Sequence, residues 1–104
     1  MRRITMTGRL TRDPELKELT SKQDESKKLK RLTFGVANND NGKEKDPEFF
    51  DAVCWDQLAV WGQQYLKKGS RILITGTPHN ETYEKDGQKK FHFKIVADKI
   101  ELIG

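Results

Sequence analysis

The sequence predicts an all-β domain with one helix, its five strands closing into a Greek-key barrel. Apolar and polar residues alternate with period two in five separate stretches of the 104-residue chain, the pattern of strands with one buried face. A single stretch, between the third and fourth of these, instead carries apolar residues at helical spacing. Asn41-Gly42 and Asp86-Gly87 sit between strands as hairpin tips.

The first strand runs from Arg3 to Leu10, with Ile4, Met6, Gly8 and Leu10 inward and Arg3, Thr5, Thr7 and Arg9 outward. Thr11 to Glu15 is a turn, since Pro14 fixes its own φ and pushes Asp13 out of the helical region. Leu16 to Ser26 has neither period and reads as a long loop. The second strand opens with Lys27-Lys28-Leu29-Lys30-Arg31, the densest positive charge in the chain. It continues with Leu32, Phe34 and Val36 on one face and Arg31, Thr33, Gly35 and Ala37 on the other. Asn38 to Pro47 is turn chemistry throughout.

In the third strand, Phe49 to Trp55, the even residues Phe50, Ala52 and Cys54 are apolar. The odd residues Phe49, Asp51, Val53 and Trp55 are mixed. Two aromatics thus share the face that carries a charge, which suits a half-exposed stacking surface. Asp56 is placed to cap a helix with a buried stripe of Leu58, Trp61, Gly62, Tyr65 and Leu66. That helix is expected to stop at Gly69, with Lys67 and Lys68 in its last turn. The fourth strand, Ser70 to Thr77, alternates Ile72, Ile74 and Gly76 against Arg71, Leu73 and Thr75. Pro78 to Lys90 reads as a protruding ribbon, with Tyr83 before its tip and Phe91 and Phe93 after it. The fifth strand, Phe91 to Ile103, alternates at Phe91, Phe93 and Ile95, then shifts phase to Val96, Asp98, Ile100 and Leu102. A bulge is expected near Ala97. The order β-β-β-α-β-β matches the OB-fold, a partly open five-stranded barrel that hosts many functions.

A chain of this length closes one core, so residues 1–104 form a single domain. Lys and Arg number 20 against 16 Asp and Glu, a net charge of +4, which permits a polyanion partner without requiring one. The lone cysteine, Cys54, lies on the apolar side of its strand and reads as a buried, inert thiol in a reducing compartment. No leader-like or membrane-spanning apolar run is present in the sequence, and the expected location is cytoplasmic. His79 and His92 lack partners at metal-ligand spacing, and the acidic pairs fall mostly in turns. No enzyme, metal or cofactor is expected. A binding surface is better supported: Arg3, Arg9, Arg31, Phe49 and Trp55 share outward parity, and Lys28 and Lys30 join Arg31 in the basic cluster. On geometry alone two readings stand, a nucleic-acid surface or ordinary solvated faces with Trp55 in a subunit contact.

Gly8 to Leu16 (GRLTRDPEL), Leu32 to Phe34, Tyr65 to Gly76 (YLKKGSRILITG) and EKDGQKKF before the last strand resemble the bacterial and phage single-stranded DNA-binding proteins over nearly the whole chain. The resemblance implies an OB-fold without catalytic activity that coats single-stranded DNA in replication, recombination or repair. It implies a homo-oligomer, a tetramer first and a dimer second. It assigns base stacking to Phe49, Trp55 and the ribbon's Tyr83, and basic contacts to Arg3 and Lys68. The chain departs from the family pattern where no aromatic stands near Asp40, where Asp51 replaces a basic residue, and where His79-Asn80-Glu81-Thr82 replaces a basic run. These departures imply weaker binding or a DNA path leaning toward Lys27 to Arg31. The sequence stops after the last strand without an acidic tail, so tail-mediated recruitment of replication proteins is not expected of it. The alternative function is an OB-fold, primosome-like adaptor that binds proteins and touches nucleic acid weakly.

Overall fold

A computed structural model describes residues 1–39 and 46–104. Its elements are β1 (Ile4–Leu10), β2 (Glu15–Thr20), β3 (Lys28–Asn38), β4 (Glu48–Trp55), α1 (Asp56–Tyr65), β5 (Arg71–Lys85) and β6 (Gln88–Leu102). They form one sheet in the order β1-β5-β6-β4-β3-β2, and β3 also pairs with β1. That extra pairing, Arg9 with Ala37 and Leu10 with Val36, closes the barrel. All pairings are antiparallel except β4 with β6. The all-β class with one helix holds, with six strands rather than five. The Asn41-Gly42 tip and Asp40 lie outside the described residues.

The sixth strand is β2, in the stretch read as a loop. After Leu10 the chain turns over β3, where the Thr11 N–H donates to the Gly35 carbonyl at 2.9 Å. It then pairs with the same edge of β3 from Glu15–Thr33 to Thr20–Lys28. Leu16 and Leu19 face opposite sides of this edge strand, and both are only half-buried. A strand wet on both faces needs no alternation, so period-two analysis passes over it.

The barrel interior is filled by the residues of inward parity. Leu10, Leu32, Phe34, Val36, Phe50, Ala52, Cys54, Ile72, Ile74, Ile95, Ala97 and Ile100 are all buried, and Phe50 meets Phe93 edge-on at a centroid distance of 6.4 Å. Helix α1 covers one end through Ala59, Gly62 and Leu66. Three expectations for this helix are corrected. Asp56 is not its cap: the capping position is Trp55, without a side-chain hydrogen bond, and Asp56 takes φ +55° while its carboxylate accepts the Lys30 N–H at 3.2 Å. The strand runs directly into the helix, so the acidic side chain pins β3 instead. Tyr65 lies outside the buried stripe, stacked obliquely on Trp61. The helix ends at Tyr65 with Leu66 as cap, so Lys67 and Lys68 fall in a following turn closed by Ser70 N–H to the Lys67 carbonyl.

Strands β5 and β6 outrun the barrel as a ribbon, whose tip has Asp86 and Gly87 both at positive φ, 55° and 77°. This is the primed turn that an Asp-Gly pair favours. The radius of gyration, 14.9 Å, exceeds the roughly 13 Å of a compact chain of this length, as a protruding ribbon requires. The expected bulge is present: Thr75 pairs with Lys99 but Gly76 with Ala97, leaving Asp98 unmatched. Glycine is needed opposite it, since a Cβ on Gly76 would stand 2.1 Å from the Val96 carbonyl oxygen. The inward phase is carried by Ile95 and Ala97 before the bulge and Ile100 after it, while Leu102 is exposed.

Candidate nucleic-acid interface

Register places side chains of one parity in rows across the outer face, with strands about 4.8 Å apart. Lys17, Arg31 and Trp55 form one row across β2, β3 and β4. Thr33, Val53, Val96 and Thr77 form the next. Gly35, Asp51, Lys94 and His79 form the third, and Arg9, Ala37 and Phe49 the fourth. The strand parity read from the sequence therefore holds: Phe49 is 68% exposed and Trp55 37%, whereas Phe50 between them is 5% exposed. Val53 is covered although it has outward parity. Tyr83 stands half-exposed on the ribbon, and Phe91 on the neighbouring strand is more exposed still.

Two shallow depressions meet at Asp51 on this face. One, of about 420 Å³, is lined by Thr11, Arg12, Gly35, Phe49, Phe91 and Phe93 among others. The second, of about 350 Å³, is lined by Arg31, Thr33, Val53, Trp55, Glu81 and Lys94 among others. Arg12, Asp51 and His92 border both. Arg12 reaches the face because Gly35 has no side chain: a Cβ there would lie 2.5 Å from Arg12 Nη1. Asp51 Oδ2 is 2.5 Å from His92 Nε2, and Lys94 Nζ is 2.5 Å from Glu81 Oε1. The hydrogen bond from Lys94 holds the Glu81 carboxyl below the usual carboxylate range. Arg31 Nε, buried in the floor, has no hydrogen-bond partner.

Of the residues singled out in the sequence, Arg9, Arg31, Phe49 and Trp55 are brought onto this one face. Arg9 also donates to the Gly69 carbonyl at 3.2 Å. Strand parity separates Lys28 and Lys30 from Arg31: they lie beside Asp56, Gln57 and Val60 at the start of the helix, and Lys28 faces Glu18 at 3.5 Å. Arg3 is held by Asp98 at the bulge through two contacts, one of them 3.1 Å. Its hydrogen bond lowers the Asp98 carboxyl, and Arg3 itself is raised. Lys68 is exposed in the turn after the helix, where its backbone N–H donates to Asp13 at 2.8 Å. Sequence reasoning missed Arg12, His92 and Lys94 as members of the face, and Phe91, of the opposite parity on β6, borders its first depression. Parity along β6 could have found His92 and Lys94. Nothing periodic marks Arg12, whose place follows from the turn over β3. Among the described residues no group of His, Cys, Asp and Glu could hold a metal ion, and no helix is long and apolar enough to cross a membrane.

A model of the Single-strand binding protein family matches residues 1–103. The chain is 36% identical to Single-stranded DNA-binding protein 1 of Lactococcus lactis subsp. lactis, over 96% of its own length and 66% of the relative's. It is 33% identical to Single-stranded DNA-binding protein 2 of Streptococcus agalactiae, over 97% and 76%. It thus spans just under two thirds of the Lactococcus relative. Among solved structures it is similar to the small single-stranded DNA-binding protein from Streptomyces coelicolor, with TM-score 0.75 and 20% identity, covering 97% of this chain and 93% of that one. That likeness concerns the fold.

Proposed function

The chain belongs to the single-strand binding protein family, and on that premise we propose that it coats single-stranded DNA without sequence preference, acting as a binder and not as a catalyst. The observation that carries the reading is the shared outer face: Phe49 and Trp55 stand exposed at opposite ends of β4, in register with Arg9 and Arg31 through β3. Flat rings offer every base the same π-face, and cations of one face can track a phosphate backbone. Each stacked base contributes roughly 1–3 kcal/mol. Platforms at Phe49, Trp55 and Tyr83 then supply binding that depends little on sequence, to which counterion release by Arg and Lys adds. Arg3, Lys28, Lys30 and Lys68 lie apart from the aromatics, so they serve a DNA strand that continues past the face.

A homo-oligomer, a tetramer first and a dimer second, is part of this proposal. The family relation supports it, as does the edge strand β2, since an uncovered edge invites pairing. Light scattering at micromolar concentration tests it, and a monomer mass would remove it. Action on exposed DNA strands places the protein with the nucleoid in the cytoplasm.

The function itself is tested by fluorescence titration with oligo-dT, oligo-rU and duplex of equal length over a range of salt. Oligo-dT is expected to win over duplex, with log K falling against log salt by about 0.7 per phosphate neutralised. Equal competition by duplex, or affinity that ignores salt, would overturn the reading in favour of a protein-binding adaptor.

A further inference from the structure

The cations nearest the middle of the outer face are already engaged by the protein's own carboxylates. Arg12 Nη2 lies 3.7 Å from Asp51 Oδ1, and His92 Nε2 lies 2.5 Å from Asp51 Oδ2. Lys94 Nζ lies 2.5 Å from Glu81 Oε1, and His92 Nδ1, 4.0 Å from Glu81 Oε2, links the two pairs. Glu81 is held in its charged form by Lys94. The arrangement is built into the sheet: the bare backbone of Gly35 seats Arg12, and the parallel pairing of Asp51 with Lys94 brings β4 against β6.

Position and exposure together point to a ligand. Phe49 and Trp55 are six residues apart on one strand, about 20 Å, so a nucleic-acid backbone that serves both must cross Asp51 and its partners. Two fixed positive charges, Arg12 and Lys94, are balanced by two negative ones, Asp51 and Glu81, and a phosphate arriving there meets no net attraction from these four. All the side chains involved are between 30% and 56% exposed. Ion pairs so exposed contribute little to stability and exchange partners readily. A phosphate oxygen offers the same acceptor geometry as a carboxylate oxygen to a guanidinium, an imidazole N–H or an ammonium.

We infer that Arg12, His92 and Lys94 form a phosphodiester subsite between the two aromatic platforms, occupied in the unbound protein by the carboxylates of Asp51 and Glu81, which a backbone phosphate of single-stranded DNA displaces. The inference rests on the reading of this face as the DNA surface. Its consequence is that the two carboxylates limit affinity: each competes for a cation that DNA needs, and each then repels the phosphate that replaces it.

The test is oligo-dT titration of the full chain at several salt concentrations, with isosteric amides at the two acidic positions. Asp51→Asn and Glu81→Gln should each bind about fivefold more tightly, the effect of removing one charge a few ångströms from a phosphate near a surface. The double variant should show a steeper salt dependence, by about 0.7 in slope for each cation released to DNA. Arg12→Gln and Lys94→Met should weaken binding. Glu101→Gln is the control: it removes one negative charge from the Lys99 pair, at 3.1 Å on β6 outside the network, and should leave affinity within about twofold. If the wild type binds oligo-dT but the amide variants bind equally or less tightly with an unchanged slope, the carboxylates are scaffolding and the subsite is refuted alone. If Glu101→Gln tightens binding as much as they do, net charge is the cause and the subsite is likewise refuted. If the wild type does not bind oligo-dT, the reading of the face and the subsite fall together.

Discussion

Phe49 and Phe50 are adjacent in the chain, chemically identical, and placed in opposite worlds. Phe49 is 68% exposed beside Arg9 and Ala37 in register, whereas Phe50 is 5% exposed and packs on Phe93 in the barrel. The difference lies in the pleat of one strand, which turns successive side chains to opposite faces. The inner face of β4, Phe50, Ala52 and Cys54, is a stability surface. The outer face, Phe49, Asp51 and Trp55, is half wet and presents rings and a charge to solvent. On the proposed function a single strand therefore separates folding from binding, and the separation can be tested residue by residue.

The largest effect is expected inside. Phe50→Ala should cost about 3–5 kcal/mol of stability in urea unfolding, since the barrel cannot collapse around the lost ring, and oligo-dT affinity measured on the folded fraction should change little. Loss of binding without loss of stability would erase the distinction between the faces. Cys54 sharpens the same point. Burial pushes its thiol up to about 12, so the folded state favours the neutral form. That contribution is complete below the ordinary thiol range, near 8.5, and is lost as pH rises toward 12. A thiol reagent at pH 8 should find Cys54 protected in the folded chain and reactive in denaturant. Rapid labelling of the native protein would place Cys54 outside the core.

Outside, the effects are smaller and of another kind. Phe49→Ala or Trp55→Ala should weaken oligo-dT binding by roughly 1–3 kcal/mol while moving stability within about 0.5 kcal/mol. Fluorescence gives a version without truncation: DNA should quench Trp55 and leave Trp61, packed against the core from the helix, nearly unchanged. A full quench that survives Trp55→Phe and vanishes in Trp61→Phe would move the binding surface to the helix side. The smallest effect is expected at Arg3. Its hydrogen bond depresses the Asp98 carboxyl, so the pair's contribution is present above the ordinary carboxylate range and is lost as pH falls through the depressed value. An NMR titration should find Asp98 titrating below that range in the wild type and returning toward it in Arg3→Ala, with the thermal midpoint barely altered because both groups are exposed. An Asp98 titration that ignored the substitution would show that Arg3 is not held there in solution and is as available to DNA as Arg31.

Periodicity along the chain was enough to determine five of the strands, the helix between two of them, the Asp-Gly tip, the bulge after Ala97 and the opposite fates of Phe49 and Phe50. Each of these follows from the period-two pleat, the helical stripe or local turn chemistry, and each is set by residues within a few positions of one another. What the tertiary structure alone decided has the opposite origin. Strand β2 exists because β3 offers it an edge, not because its own residues alternate. Lys28 and Lys30 part from Arg31 because consecutive residues of a strand face opposite ways, and a run of charge in sequence is not a patch in space. Asp56 pins Lys30 rather than its own helix because strand and helix meet without a loop. Arg12, Asp51, His92, Glu81 and Lys94 come from a turn and three strands that only barrel closure brings together. Parity puts Asp51, His92 and Lys94 on outward faces, but a contact as distant as Asp51 with His92, 41 residues apart, leaves no trace in local pattern, because the chain between them is free to satisfy its own periods whatever its two ends meet.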